Sequence, residues 1–578
     1  MTEFDRLLLG LRGVKPSLAD GLHGTIEHLR RIPSQSVEAF LAPMLPPAES
    51  PATSPLVLPR SGRRIPPVFV MGAGRGEVVR NLAKTIIERG LDTWCVIVET
   101  DPRRMLATLL RDDWSSALAA DRVRFAVGPD IPSTVRNALP EEPDPLLEPI
   151  LTSSIRLIRS NALPPAAEIE AAFRREVFTH AESFRNRCQQ LGTRRDREEA
   201  PLAKKRWRIH ASVGDETTAL KHLAPSIIRA ATSAGHEGIV DLVKATDPFN
   251  SSRLSRRAFD VDPDLALSFL KPGRTLAPWR KGMPSIVLVS SNPNLLPIED
   301  FDWSERDLVV LADPSFVPIY RRLGLDPVVR PLATDIHDLA ELEQVDPPRC
   351  DVLAVGSIPD ARQFMPDMPP LLHEELRRLA VTWVANPGAS PTGILNSTRI
   401  AARSSNDPRL QLALAYEATR LRRIRSVMIL AEAGFKVRIH GDQAWGKVVE
   451  GTAADGCWHG WLKAGREQSA AFRQAPVTIN INPFANPQML NMRSLEVPAA
   501  GGLLVTDDRP VLRGSFEVGR EVLAFDRVEE LPGLVGGILG DRDRRDEMAA
   551  AARSRASRDH SWDAWWAWIE TELRRRFG

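Results

Sequence analysis

The chain has 578 residues, 43% hydrophobic and 26% charged, a composition of folded protein too long for one core, so about three or four domains are expected. Its 76 basic and 74 acidic residues leave a net charge of +2, which gives no electrostatic case for a nucleic-acid or membrane-surface partner. Four cysteines without CxxC spacing (Cys95, Cys188, Cys350 and Cys457) argue against a zinc site and for a reducing compartment.

The N-terminus, Met1 to Asp5, has neither a basic region nor an apolar core, and no apolar run of about eighteen residues follows anywhere. A cytoplasmic protein is expected. Residues 1–42 read as amphipathic helices, and 43–67 as a Pro-rich linker. The strand Val68–Met71 then runs into a glycine loop (Gly72, Gly74, Gly76), a helix, and a second strand ending at Glu99. This β–Gly loop–α–β unit, over 68–135, has the layout of a Rossmann-like nucleotide-binding domain, with Glu99 where a ribose-binding acid stands. Glu77 replaces the third glycine of the dinucleotide fingerprint, so a bound nucleotide and a structural tight turn both remain open.

Residues 136–205 read as a helical connector, its main helix over 166–191. A strand at 207–213, a turn at Gly214 to Thr218 and a helix at 219–234 open the next unit, 206–345, with further strands at 285–290 and 308–311. The last unit, 346–578, contains the most informative stretch. Val477–Ile481 reads as a buried strand, Arg493–Ala500 as a short helix stopped by Gly501-Gly502, and Leu503–Val505 as the next strand. Such a unit puts a helix N-terminus at the carboxyl edge of a parallel sheet, where α/β proteins bind phosphates. Arg493 and Glu496 share its first turn; an arginine suits a diphosphate and a glutamate the ribose hydroxyls. The same pair on an isolated helix would be ordinary surface.

Several motifs in order carry a family resemblance. They are Asp313–Tyr320, Pro331–Asp335, Val355-Gly-Ser357, Val437–Gly441, Arg493-x-x-Glu496-x-x-Ala499-x-Gly501-Gly502 and Phe516-Glu517-x-Gly519-x-Glu521, closed by a helical stretch through Trp562. From about Trp207 to its end the chain resembles CgeB-like bacterial glycosyltransferases. The stretch Val98–Pro102 with Asp121–Gly128 is similar to the Rossmann-like region of Maf-type motility-associated glycosyltransferases. The resemblance implies an α/β protein of the two-lobed GT-B type, preceded by an extra Rossmann-like domain. It implies transfer of a sugar from a nucleotide-diphosphate donor to a surface glycan or a protein, with flagellin among the acceptors it suggests. It further implies a final helix, rich in tryptophan (Trp562, Trp565, Trp566, Trp568), that crosses back to the first lobe. Related retaining enzymes carry two glutamates eight positions apart; Glu496 fits the second place, but Gln488 holds the first. Retention and inversion of the anomeric centre both stay open.

For the donor, Arg493, Glu496, Gln488, Asn482 (with Asn480 and Asn486), Lys463 and Gly501 are the expected binding residues. No Asp-x-Asp sits where a metal-dependent transferase would need one, so transfer without metal or other cofactor is expected, apart from a nucleotide at the Gly72–Gly76 loop. For a base, Asp215 ranks before His210 at the opening strand of the first lobe. Two competing readings stand beside this one. The first is a SAM- or NAD-dependent enzyme built on the glycine loop, and the second a non-catalytic glycosylation scaffold, which Gln488 favours.

Overall fold

The computed structural model describes residues 22–23, 26–27, 68–71, 95–99, 101–111, 123–128, 130, 156–159 and 166–195 of the N-terminal third. From 202 onward it describes all but 215–219, 244–256, 274–276, 278, 338–349, 364, 366 and 399–405. The glycines 72, 74 and 76, Asp215, the linker 43–67 and nearly all of the helices read in 1–42 lie outside the described residues.

Three sheets, parallel throughout, follow one another. The first takes β1 (Val68–Met71), β2 (Cys95–Glu99), β3 (Val123–Val127) and β4 (Arg156–Arg159) in the order β3-β2-β1-β4. β4 pairs with β1 although it falls in the span read as helical connector, so this sheet extends past the glycine-loop unit. Helix Ala166–Arg195 then leads to the second sheet.

That sheet contains β5 (Arg208–Gly214), β6 (Glu237–Val243), β7 (Leu265–Phe269), β8 (Ser285–Val289), β9 (Asp307–Leu311) and β10 (Val328–Val329). Their order is β10-β9-β8-β7-β5-β6. The third sheet contains β11 (Val352–Val355), β12 (Val437–His440), β13 (Val477–Asn480), β14 (Leu504–Asp507) and β15 (Leu523–Phe525), in the order β12-β11-β13-β14-β15. In both, the first strand lies between the second and the third, so winding reverses between β5 and β7 and again between β11 and β13. The carboxyl ends of those strand pairs are the switch-point crevices where open α/β sheets bind ligands. Runs such as Val477–Asn480 and Leu504–Asp507 are buried at every position because helices cover both sheet faces.

The C-terminal helix, Trp562–Phe577, joins the lobes. Ser561 caps it by accepting the Ala564 N–H at 3.2 Å, and it packs on helix Leu220–Ser233 of the first lobe. Trp562, Trp565 and Trp566 are buried in one core with Ile209, Leu223 and Ile227 from the first lobe and Leu495 and Phe516 from the second. The His236 ring stacks on Trp207 at 4.5 Å and meets the edge of Trp566 at 5.5 Å, while Arg576 reaches the Asp326 carbonyl at 3.1 Å. The expected return of the last helix is therefore present. Two doubly wound lobes tied by such a helix make the GT-B arrangement, here preceded by the extra parallel sheet. Among the described residues no helix is long and apolar enough to cross a membrane.

Candidate active site

The site assembles at the switch point of the third sheet. Helix Arg493–Ala500 begins beyond the carboxyl end of β13, and its N-cap residue Met492 offers no side-chain cap. Asn491 Oδ1 instead accepts the Ser494 N–H at 3.2 Å, and the Leu495 and Glu496 N–H groups close on the Met492 carbonyl, so it is the positive end of the helix dipole that faces the crevice edge. The helix stops as read from sequence: Gly501 is left-handed (φ 82°), and a Cβ on Gly502 would stand 2.4 Å from the Phe472 carbonyl oxygen.

Two arginines meet there. Arg493 is half-buried, and its Nε is buried without a hydrogen-bond partner among the described residues. Arg423, from helix Pro408–Glu432, donates to the Ser357 carbonyl beyond β11, and to the Ile481 carbonyl beyond β13 at 3.0 Å. It thus bridges the two strand ends that define the switch point. Burial, then the neighbouring Arg493 charge, pushes the Arg423 guanidinium down to about 10, which leaves it cationic at neutral pH. Neither arginine forms a salt bridge among the described residues. Two cations thus stand at the positive end of a helix, beside a cavity lined by Gly356, Arg423, Trp445 and Ile481, an arrangement whose charge suits an anion. Sequence reading missed Arg423, which sits in a run of arginines (Arg420, Arg422, Arg423, Arg425) that looks like a solvated helix face.

Glu496 lies one turn along, half-buried, and accepts the Gln468 Nε2–H at 2.8 Å. Burial pushes its carboxyl above the usual glutamate range, with Arg493 and Gln468 opposing and Asp335 adding to the rise. The expected Arg493–Glu496 pair is thus one cation and one carboxylate on a single helical turn at the crevice.

Other expected donor residues are placed differently. Asn482 is fully buried. Its Nδ2 donates to Thr506 Oγ1 at 3.2 Å and Asp507 Oδ1 at 3.0 Å, and its Oδ1 accepts from Asn491 N at 2.8 Å and Ser494 Oγ at 3.1 Å. Both ends of the amide are committed, so Asn482 shapes the loop into the helix and does not reach the crevice. Asn480 joins the same network through Ser494 Oγ at 2.9 Å, and Asn486 is buried with its carbonyl on Arg509. Gly501 closes the far end of the helix, about 12 Å from its start. The side chain of Lys463 is exposed, while its carbonyl accepts Gln468 N at 3.2 Å. Gln488 is half-buried, with its backbone N–H on Asp313 at 3.1 Å.

In the first lobe, His210 lies four residues before the end of β5 and is fully buried, with Nε2 2.7 Å from Asp241 Oδ2 and Nδ1 unpartnered. Its depth in the sheet separates it from the crevice edge. Glu99 is buried at the carboxyl end of β2, where one carboxylate oxygen accepts Asp101 N at 3.0 Å.

Residues 421–571, which hold Arg423, Arg493 and Glu496, match the family model described as glycosyl transferase-like. No curated protein matches the chain. Similar solved structures include a sucrose-phosphate synthase from Thermosynechococcus elongatus (10% identity, TM-score 0.41, 64% of this chain and 99% of that one). A glycosyltransferase from Rickettsia africae ESF-5 stands at 8% identity and TM-score 0.42 over 64% and 99%. HepE of Anabaena, in complex with UDP-glucose, stands at 10% and 0.39 over 64% and 98%. At these scores the likenesses say nothing about donor or acceptor.

Proposed function

We propose that the chain is a glycosyltransferase of the CgeB-like kind, which takes a sugar from a nucleotide-diphosphate donor and passes it to a surface glycan or a protein. The observation that carries this reading is the buried Nε of Arg493, without a hydrogen-bond partner among the described residues, beside the half-buried Arg423 at the positive end of a helix. In this reading Arg493 and the positive end of the helix dipole hold the diphosphate, Arg423 adds its charge from behind, and Glu496 accepts the ribose hydroxyls. Negative charge grows on the leaving diphosphate as the glycosidic bond breaks. Fixed donors already aimed at that place stabilise it without a metal. Gln488 offers a hydrogen bond and no charge at the sugar, so the developing positive charge on the sugar ring gets no carboxylate from that position.

A second reading has one observation of its own: Glu99, buried at the carboxyl end of β2 in a sheet of order β3-β2-β1-β4, stands where a ribose-binding acid stands in nucleotide-binding domains. A thermal-shift panel of UDP-, GDP-, dTDP- and CMP-sugars, SAM and NAD separates the two. Stabilisation by one sugar nucleotide that Glu496→Ala removes supports the transferase. Stabilisation only by SAM or NAD moves the chemistry to the first sheet, and no stabilisation by any of them leaves a scaffold.

A further inference from the structure

One group of three metal-ligating side chains stands outside the crevice among the described residues. Asp360 follows β11, His373 sits in the first turn of helix Pro370–Ala385, and Glu417 lies mid-way along helix Pro408–Glu432. One ligand atom from each falls within 4.8 Å of the others. We propose that these three residues bind a divalent transition-metal ion.

The geometry is close to what an ion needs. His373 Nε2 is 3.2 Å from Glu417 Oε1 and 3.9 Å from Asp360 Oδ1. Ligands about 3–3.5 Å apart surround an ion with bonds of about 2.0–2.2 Å, so small side-chain shifts close the site. Glu417 is 3% exposed and forms no salt bridge with lysine or arginine among the described residues. Its Oε1 accepts only His373 Nε2 and, at 3.5 Å, the Ala361 N–H, which is thin compensation for a buried carboxylate, and a cation adds what these lack. The outer layer is also present. Arg362 donates to Asp360 from N at 2.8 Å, Nε at 3.3 Å and a terminal nitrogen at 2.9 Å, which fixes that carboxylate. Asp360 is partly exposed and leaves a side for entry. One imidazole with two carboxylates suits Zn2+ or Mn2+; it lacks the thiolates that favour Cu+ and the all-oxygen cage of Ca2+.

The site lies apart from the proposed diphosphate position. Glu417 and Arg423 are six residues apart on one helix, about 9 Å of rise. Asp360 is three residues past Ser357, whose carbonyl receives Arg423. An ion here would tie the segment after β11 to the helix that carries Arg423. Metal content reads the site directly and is independent of whether the crevice binds a donor.

The test uses the full chain, stripped with a chelator and dialysed against Zn2+ or, separately, Mn2+. The expected result is about one equivalent bound in the parent chain and in a Cys350→Ser/Cys457→Ser double variant, and loss in His373→Ala and Glu417→Gln. Co2+ in the site should give visible d–d bands with no thiolate charge-transfer band. Should His373→Ala fail to fold, Asp360→Asn at the partly exposed corner serves instead, with metal affinity at least about 10-fold lower and unchanged melting of the metal-free form. Negligible binding of both ions by the parent chain would overturn the proposal. So would full occupancy in His373→Ala or an unchanged affinity in Asp360→Asn.

Discussion

Asp313 of the first lobe holds Gln488 of the second. The carboxylate, fully buried at the carboxyl end of β9, accepts the backbone N–H of Gln488 and of its neighbour Met489, each at 3.1 Å. Its other oxygen accepts the Ser315 N–H at 2.8 Å and caps a short helical turn. The loop that precedes the Arg493 helix is therefore registered against the opposite lobe by one side chain.

Asp313→Ala leaves three N–H groups, those of Ser315, Gln488 and Met489, without their carboxylate acceptor. A loss of about 1–3 kcal/mol per orphaned group bounds the cost, and relaxation of the loop keeps it near the lower end. Denaturant unfolding should show the destabilisation, and Asp313→Asn, which keeps one acceptor oxygen but turns its NH2 toward the other N–H groups, should recover only part of it.

The buried pair Asp507–Arg509, 2.8 Å apart, holds the same loop from behind, since Arg509 also donates to the Met489 and Pro483 carbonyls at 3.1 Å each. Burial alone would raise the Asp507 carboxyl, but Arg509, Arg422 and the Asn482 N–H outweigh it and hold the carboxyl below the aspartate range. A depressed carboxyl stabilises the fold above the unfolded value of about 3.9, and that stability is lost as pH falls through the folded value. Asp507→Ala should cost about 3–5 kcal/mol at neutral pH because it strands Arg509. Unfolding measured across acidic pH should show a weaker acid dependence in Asp507→Asn.

Arg493→Ala should weaken binding of the matching nucleoside diphosphate by about 2–3 kcal/mol, roughly 30- to 150-fold, with little change in melting temperature of the free protein. Among the described residues Arg493 makes no salt bridge and acts on Glu496 only through its charge, so its removal should cost the free protein little. Calorimetric titration checks both halves of the statement.

The elevated carboxyl of Glu496 fixes a pH dependence. Only the ionised form accepts two ribose hydroxyls, so affinity should be full above the raised value and fall as pH drops through it, earlier than an ordinary glutamate would allow. In Glu496→Gln that step should vanish. A parent chain whose affinity stays flat down to the ordinary glutamate range would remove Glu496 from the ribose.

Local signals made the central helix legible. The apolar run at Val477 and the glycine pair after Ala500 each mark an element boundary in a few residues. Arg493 and Glu496 were legible for the same reason, being three apart on that helix. Arg423 was not, because its place comes from the carbonyls beyond β11 and β13 meeting one guanidinium of a helix dotted with arginines. The asparagines misled in the opposite direction: polar residues at a strand's carboxyl end look available, yet Asn480, Asn482 and Asn491 satisfy one another. Asp360, His373 and Glu417 come from three elements, and no spacing within the sequence connects them.

Hydrogen exchange with and without the sugar nucleotide that stabilises the chain locates the donor most directly. Binding at the proposed site should slow exchange over 491–497 and around Ser357, and Arg493→Ala should abolish the effect at the same ligand concentration. Protection confined to the first sheet, near Glu99, would contradict the assignment and place the nucleotide in the N-terminal domain.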